Sequence, residues 1–263
     1  MVSPGVAPRV PITAESRHHL VELARRAGDA TLLHYHEGMA VEQKGDRGPV
    51  TAADRAAHEV IVSALAAWDP TIPVISEEGR IPSAAERAGW RRFWLVDPLD
   101  GTKEFVHRNG EFTVNIALID SGVPVLGVVH APARELTYSA ARGLGAWRQR
   151  GDGAPERIWS TPPHPGQPLR VAESRSHPSA ELEAWLATVC VAERVPVGSS
   201  LKFCLVAEGT ADVYPRLGPT MEWDVAAGDC VFRNSGVDGP RHSPLMYNQP
   251  DLRTPSFVLG LEG

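Results

Sequence analysis

The sequence predicts an α/β (α+β) layered sandwich, built from stacked layers of helices and sheets. The first half of the chain carries two amphipathic helical segments followed by several segments rich in β-branched and aromatic residues. The second half alternates between strand-like and helix-like segments, which is typical of an α/β layer. With 263 residues, the chain is long enough to bury a large hydrophobic core.

Two helices are expected near the N-terminus. An apolar stripe that includes Leu20 and Leu23 predicts a helix over residues 13–37. A second stripe that includes Ile61 predicts a helix over residues 51–68. Between and after these helices we expect a polar loop, a short strand, and a surface loop or short helix, over residues 41–49, 72–75 and 80–90 respectively.

Strands dominate the middle of the chain, and strands alternate with helices after it. In the middle part, strands are predicted over residues 93–96, 112–119, 123–130 and 135–140, with a hairpin turn at 120–122. In the second part, strands are predicted over residues 169–172, 194–197 and 211–214, and helices over residues 178–189, 200–208 and 222–234. The Gly- and Pro-rich segment 151–168 is the best candidate for a boundary between two lobes. We therefore expect an N-terminal α+β lobe over residues 1–160 and a C-terminal α/β lobe over residues 161–263.

Composition excludes several classes of function. The formal net charge of -6 argues against binding of nucleic acid polymers, which requires a basic face. No apolar run approaches the roughly 20 residues that a membrane span needs, and Met1–Pro11 does not have the pattern of a secretory signal. The three cysteines form neither a disulfide framework nor a zinc pattern. A cytoplasmic location is expected, with peripheral association with the inner face of the membrane left open.

The segment Asp97–Phe105 is the strongest functional signal. It follows the apolar run 93–96, so Asp97 and Asp100 are expected where a buried strand gives way to a turn. That geometry can direct both carboxylates, and the carbonyl of Leu99, toward one point. Clustered carboxylates raise each other's pKa values unless a cation neutralises them. Oxygen ligands of this kind suit Mg²⁺ or Mn²⁺.

Other acidic residues stand at the ends of predicted elements. Glu77 and Glu78 follow a strand, and Asp224 opens the last long helix. These residues can converge with Asp97, because sites in α/β layers form beyond the carboxyl ends of strands. Each also has a structural explanation, since the glutamates can be solvated loop charges and Asp224 interacts favourably with the helix dipole.

Thr51 and Asp54 allow two interpretations. Their spacing fits a capping box in which aspartate replaces the usual glutamate, and helix capping explains it well. The functional alternative is that Asp54 orients a nucleophilic water near bound metals. Both roles are compatible if Asp54 caps weakly and faces the site.

Two segments, 97–102 and 223–228, together resemble the paired signatures of the inositol monophosphatase superfamily of Mg²⁺-dependent, lithium-sensitive phosphatases. Within it, the chain is similar to the CysQ branch, the 3′(2′),5′-bisphosphate nucleotidases. The segments that carry this closer similarity are residues 103–105, 108–119, 198–209 and 214–220. The resemblance runs from about residue 24 to residue 228 and implies helix and sheet layers in the order α-β-α-β-α.

The resemblance implies a set of metal ligands. Glu77, Asp97 and the carbonyl of Leu99 would hold one Mg²⁺, and Asp97, Asp100 and Asp224 would hold a second. A third ion would bind more weakly near Glu77, so two or three ions are expected, with Mn²⁺ as a substitute.

The resemblance also implies catalytic and substrate-binding residues. Asp54 and Thr102 would orient the attacking water. The backbone N–H groups of Gly101 and Thr102 can hold a phosphate oxygen if a helix begins there. The other residues expected to bind the substrate are Ser174, His177, Gly198, Lys202, Arg216 and Asp224. Of these, Ser174, His177, Gly198 and Lys202 would line the nucleoside and 5′-phosphate side, and Lys202 and Arg216 are suitable cations for a phosphate. Lys202 can instead be a solvated helix charge, and His177 a capping or core residue.

The expected activity is hydrolysis of 3′-phosphoadenosine 5′-phosphate to AMP and phosphate, with a role in sulfur metabolism inferred from the branch. The alternative is an inositol monophosphatase or another sugar-phosphate phosphatase of the same superfamily, which would share the metal ligands. A non-catalytic nucleotide-binding or metal-binding protein is a second class. The expected partner is a small nucleotide bisphosphate, and monomer and homodimer both stay open.

Overall fold

A seven-stranded mixed sheet lies at the centre of the structure, a computed structural model that describes residues 10–37, 41–43, 49–176 and 179–261. Its strands are β3 (Val74–Ser76), β4 (Arg92–Asp100), β5 (Thr113–Asp120), β6 (Val123–Ala131), β7 (Leu136–Ala141), β8 (Gly145–Arg150) and β9 (Glu156–Ile158). The strands follow one another in chain order across the sheet. β3 pairs parallel to β4, and every later neighbour pairs antiparallel.

Two helices, α1 (Ala14–Glu37) and α2 (Ala52–Trp68), cover one face of this sheet. Between these two helices, the chain forms an antiparallel pair of short strands, β1 (Val41–Gln43) and β2 (Pro49–Thr51). Leu20 of α1 and Ile61 of α2 share a hydrophobic cluster with Val96 and Ile116 of the sheet. Side chains alternate between the faces of a strand, so the even-numbered apolar residues of β4 point toward α1 and α2.

The opposite face of the sheet packs against α6 (Leu201–Ala207) and α7 (Glu222–Arg233). Phe93 and Leu95 of β4 belong to the cluster that holds Phe203 of α6. The odd-numbered positions of β4 therefore point toward α6 and α7. This alternation determines the face on which Asp97 lies.

A second, parallel pair of strands lies beyond α6 and α7, formed by β10 (Leu169–Ser174) and β11 (Val191–Val197). α5 (Ala180–Leu186) packs its Leu182 against Val171 on the outer side of this pair. The remaining elements are α3 (Ala84–Arg87), α4 (Thr102–Val106), β12 (Tyr214–Arg216), β13 (Thr220–Met221), β14 (Arg253–Thr254) and β15 (Phe257–Leu259). The predicted α/β layered sandwich, with layers in the order α-β-α-β-α, is confirmed.

Most predicted elements are present, with shifted ends. The loop prediction for residues 41–49 is wrong in part, because β1 and β2 pair within and beside it. The boundary segment 151–168 contains β9, which pairs with β8 and so extends the central sheet. Residues 145–150 and 156–158 were not expected as strands. Many of their side chains are polar, so the sequence lacks the alternation of apolar and polar residues that a half-buried strand shows.

The strand predicted over residues 211–214 begins only at Tyr214. The N–H groups of Thr210 and Ala211 donate to the carbonyl of Leu205 and close the end of α6. Those backbone groups are therefore not available to a strand ladder.

The division at residue 160 stays a prediction. α7 lies in the predicted C-terminal lobe and packs across β4, β5 and β6 of the predicted N-terminal lobe. Among the described helices, none combines the length and the apolar character that crossing a membrane requires.

Gly127 allows α7 to lie close to β6, and replacing it should destabilise the fold. A methyl group at this position would lie 2.7 Å from Cβ of Cys230 and 3.1 Å from the carbonyl oxygen of Ala227. We expect Gly127→Ala to lower the free energy of unfolding by about 1–3 kcal/mol through overpacking. Urea titration measures this change.

Gly89→Ala is the matched control, because Gly89 is exposed and a methyl group there would meet no atom within 4 Å. We expect it to change the free energy of unfolding by less than about 0.5 kcal/mol. Equal effects of both substitutions would contradict the packing explanation.

Candidate active site

A β-bulge in β4 brings Asp97 and Asp100 to the same face of the sheet. Asp97 pairs with Asn115 and Asp100 with Thr113, so β4 has one more residue than β5 between the two pairs. In a regular strand, residues three apart point to opposite faces, and the extra residue cancels this reversal. The prediction that the strand ends before Asp97 is therefore wrong, since β4 continues to Asp100.

Glu77, Asp97 and Asp224 form a carboxylate cluster. Each offers one oxygen, and these oxygens lie within 4.8 Å of one another. The N–H of Glu77 donates to the carbonyl of Val96 at 3.1 Å, which holds the residue after β3 beside Asp97. Asp224 comes from the first turn of α7. Three elements thus meet at one point, and Glu77 rather than Glu78 supplies the glutamate oxygen.

Burial and mutual repulsion act on this cluster. Burial raises the pKa of Asp97 well above its usual range, and the charges of Glu77, Asp100, Asp224 and Asp54 raise it further. Burial, followed by the charge of Asp100, raises the pKa of Asp224 to about 6. A set of close carboxylate oxygens, of which that of Asp97 is buried and the others half-buried, fits a hard divalent cation, because the cation removes the repulsion.

Hydroxyl groups and backbone groups hold the carboxylates in place. Oδ2 of Asp100 accepts hydrogen bonds from Oγ of Ser199 at 2.6 Å and from Oγ of Ser200 at 3.1 Å. Oγ of Ser200 also lies 2.6 Å from the carbonyl oxygen of Asp224 and accepts a hydrogen bond from Nδ2 of Asn115 at 2.9 Å. Ser200 therefore links β4, β5 and the start of α7.

Asp224 has a structural role as well as its place in the cluster. Its Oδ2 accepts hydrogen bonds from Oγ1 of Thr220 at 2.7 Å and from the N–H of Met221 at 3.0 Å. The contact with Met221 is a helix-capping interaction at the start of α7. The structural and functional explanations of this residue are therefore compatible.

A cavity of about 360 Å³ opens beside Asp100 and Asp224. Its volume lies at the lower end of the range for small-molecule sites. The predicted site residues that line it are Asp100, Gly101, Thr102, Ser174, Lys202, Arg216 and Asp224. A helix does begin at Thr102, after Gly101 in a left-handed conformation with φ of 87°. The contact of these N–H groups with phosphate stays a prediction.

Lys202 is a buried cation on the wall of this cavity. Its Nζ donates to the carbonyl of Ser199 at 2.5 Å and lies 5.5 Å from the centre of the Tyr214 ring. Burial lowers the pKa of Lys202 to about 8, although Asp100 and other nearby acids raise it. The alternative that Lys202 is a solvated helix charge is contradicted by its exposure of 6%.

Five predicted site residues that the structure describes do not line the cavity, namely Asp54, Glu77, Asp97, Leu99 and Gly198. Asp54 is buried close enough to Asp97 to raise its pKa. The side chain of Leu99 packs with Phe105 and Phe112, and its carbonyl stays a predicted ligand. The N–H of Gly198 donates to Glu111 at 2.7 Å, which gives this glycine a packing role in the structure.

His177 lies outside the described residues. The side chain of Thr51 is also not described, so helix capping by Thr51 stays a prediction. Sequence reasoning also missed residues that the structure places at the site, namely Ser199, Ser200 and Asn115. Their signal was present in the segments 198–209 and 108–119, where both serines stand between Gly198 and Lys202.

The layer order and the carboxylate cluster around Asp97 are typical of one class, the metal-dependent phosphatases of layered α/β fold. The chain matches the Inositol monophosphatase family over residues 13–256 and belongs to that family. The fold is shared with solved structures of family members. CysQ from Bacteroides thetaiotaomicron has a TM-score of 0.77 at 40% identity, covering 93% of this chain and 96% of that one.

Two further relatives place the chain within the family. It is 52% identical to the 3′(2′),5′-bisphosphate nucleotidase CysQ of Escherichia coli strain K12 over 245 residues, which covers 91% of this chain and 97% of the relative. The suhB protein of Bartonella henselae has a TM-score of 0.71 at 28% identity, covering 85% of this chain and 86% of that one. The chain is thus much more similar to this nucleotidase than to suhB.

Asp97→Asn should stabilise the protein when divalent cations are removed. The substitution keeps an acceptor for the N–H of Leu99, which donates to Asp97 at 3.0 Å. It removes one of the repelling carboxylates, so we expect the free energy of unfolding at pH 7 in chelator to rise by roughly 1 kcal/mol or more. Urea titration with and without Mg²⁺ measures this change, and added Mg²⁺ should stabilise the wild type more than the variant.

Asp238→Asn at an exposed position is the control for the same chemical change. It should behave like the wild type in both conditions. A variant at position 97 that is less stable than the wild type in chelator would contradict the claim that repulsion dominates the cluster.

Proposed function

We propose that this protein is a 3′(2′),5′-bisphosphate nucleotidase that hydrolyses 3′-phosphoadenosine 5′-phosphate to AMP and phosphate. One observation carries the proposal: a single cavity is lined both by carboxylates, Asp100 and Asp224, and by cations, Lys202 and Arg216. A ligand with two phosphates matches this arrangement, because one phosphate meets the metal site and the other meets the cations. The similarity to relatives named 3′(2′),5′-bisphosphate nucleotidase CysQ supports it.

The proposed cofactor is Mg²⁺, with two or three ions and Mn²⁺ as a substitute. The residues that would hold it are Glu77, Asp97, Asp100, Asp224 and the carbonyl of Leu99. When bound, the cation supplies charge neutralisation, activates a water and stabilises the negative charge that develops on the phosphoryl oxygens.

The residues of the chain supply orientation. In the proposal, Asp54 and Thr102 hold the attacking water, with Thr102 at the start of α4 and Asp54 buried near Asp97. Ser199 and Ser200 keep the carboxylate of Asp100 fixed while charge develops. Preorganised groups of this kind accelerate a reaction because they need no rearrangement in the transition state.

The second phosphate is proposed to bind the cations of the cavity wall. These cations are Lys202 and Arg216, and Ser174 lines the same cavity. The location of the enzyme is proposed to be the cytoplasm, since the buried thiols of Cys204 and Cys230 are unpaired, as in a reducing compartment.

The deciding experiment measures phosphate release with Mg²⁺ from 3′-phosphoadenosine 5′-phosphate, inositol 1-phosphate and fructose 1,6-bisphosphate at equal concentration. We expect a strong preference for the nucleotide. Preference for a sugar or inositol ester would be consistent with the proposed metal ligands and would contradict the assignment of a nucleotide substrate. Release from none of them would favour a binding protein.

Lys202→Ala should weaken binding of the second phosphate selectively. A hydrogen bond to a charged group contributes about 1.5–3 kcal/mol, so we expect KM for the bisphosphate to rise roughly tenfold to hundredfold. KM for adenosine 3′-phosphate, which lacks the second phosphate, should change little. Steady-state kinetics with both substrates measures the difference.

Lys202→Met is the companion variant, because it keeps the buried aliphatic chain against Tyr214 and removes only the charge. It should show the same selectivity as the alanine variant. Equal increases of KM for both substrates would assign Lys202 to packing instead.

A further inference from the structure

Glu104 is a buried carboxylate that the proposed reaction does not use. It lies in α4, and its exposure is only 3%. It nevertheless lines the cavity, beside Lys202 and Ser174. A carboxylate in this position needs a partner, because burial of an unpaired charge is strongly unfavourable.

Two glycines make room for this side chain. A methyl group at Gly198 would lie 2.6 Å from Cγ of Glu104, and one at Gly101 would lie 3.2 Å from its Oε2. The side chain therefore occupies the space that any larger residue at Gly198 would take. Its position is determined by close contact with backbone from two different loops.

The donors around Glu104 are used elsewhere. The N–H of Gly198 and the guanidinium groups of Arg134 and Arg175 all donate to Glu111. Nζ of Lys202 donates to the carbonyl of Ser199. Arg175 and Lys202 attract Glu104 only through longer-range electrostatics. Within the described part of the chain, the Glu104 carboxylate accepts no hydrogen bond.

We propose that Glu104 accepts a hydrogen bond from an uncharged donor on the nucleoside, either a ribose hydroxyl or an amino group of the base. This inference rests on the proposed function and deepens it. A carboxylate accepts from such donors and repels phosphate, so Glu104 selects the nucleoside for its part of the cavity. The second phosphate is thereby directed to Lys202 and Arg216, which carry the opposite charge.

The test compares adenosine 5′-phosphate with two analogues, 2′-deoxyadenosine 5′-phosphate and inosine 5′-phosphate. The first analogue lacks a ribose hydroxyl, and the second has a carbonyl in place of the base amino group. Calorimetry with Mg²⁺ measures their affinities for the wild type and for Glu104→Ala, and no 3′-phosphate is present to be hydrolysed. We expect the wild type to bind one analogue roughly tenfold to hundredfold more weakly than adenosine 5′-phosphate.

Glu104→Ala should lose this discrimination and bind the parent nucleotide and that analogue alike. Glu104→Gln keeps an acceptor and should retain part of the discrimination, which also covers the case in which the alanine variant does not fold. The analogue that is discriminated identifies the donor. Glu193→Gln, at an exposed position on β11, is the control and should match the wild type.

The proposal is overturned if the wild type binds all three nucleotides alike, or if the Glu104 variants weaken all three equally. Phosphate release from the corresponding 3′,5′-bisphosphates is measured in parallel. If the wild type binds and discriminates the nucleotides but releases no phosphate, the proposed function fails and the role of Glu104 stands. If it hydrolyses the bisphosphates but binds the three nucleotides alike, the proposed function stands and the role of Glu104 fails.

Discussion

Repulsion among the carboxylates around the buried Asp97 is the interaction on which the rest of the site depends. Two acids elsewhere with little exposure pair with arginine, Glu111 with Arg134 and Arg175, and Asp212 with Arg170. At the cluster, Asp100 and Asp224 are held by hydroxyl and backbone donors instead. Such donors fix the position of a carboxylate and leave its charge in place, so attraction for a cation is preserved.

The start of α6 links a carboxylate and a cation of the cavity wall. Ser199 donates to the carboxylate of Asp100, while its own carbonyl accepts from Lys202. Ser199 has a φ of 57°, which is uncommon for a residue with a side chain. In this conformation its hydroxyl and its carbonyl contact different partners. One short piece of backbone thus contacts both the carboxylate of Asp100 and the ammonium group of Lys202.

The sequence predicted most of the helices and strands, because alternation and helix starts are local patterns. The convergence of Asp97 with Asp224 was a possibility at that stage, and the order of the layers came from the resemblance to the family. The sequence did not predict the bulge, since nothing in the identity of residues 97–100 reveals how they pair with β5. Ser200 was missed because its function lies in contacts with β4, β5 and α7, which are far away in the chain. Local patterns predict elements, whereas the bonds between elements require the assembled structure.

The bulge makes the register of β4 against β5 as important as the identity of the two aspartates. If the same residues paired with β5 without the bulge, the carboxylate of Asp100 would point toward α1 and α2. The ladder would then be regular, and the two carboxylates would lie on opposite faces of the sheet. This segment is therefore constrained by strand pairing as well as by chemistry.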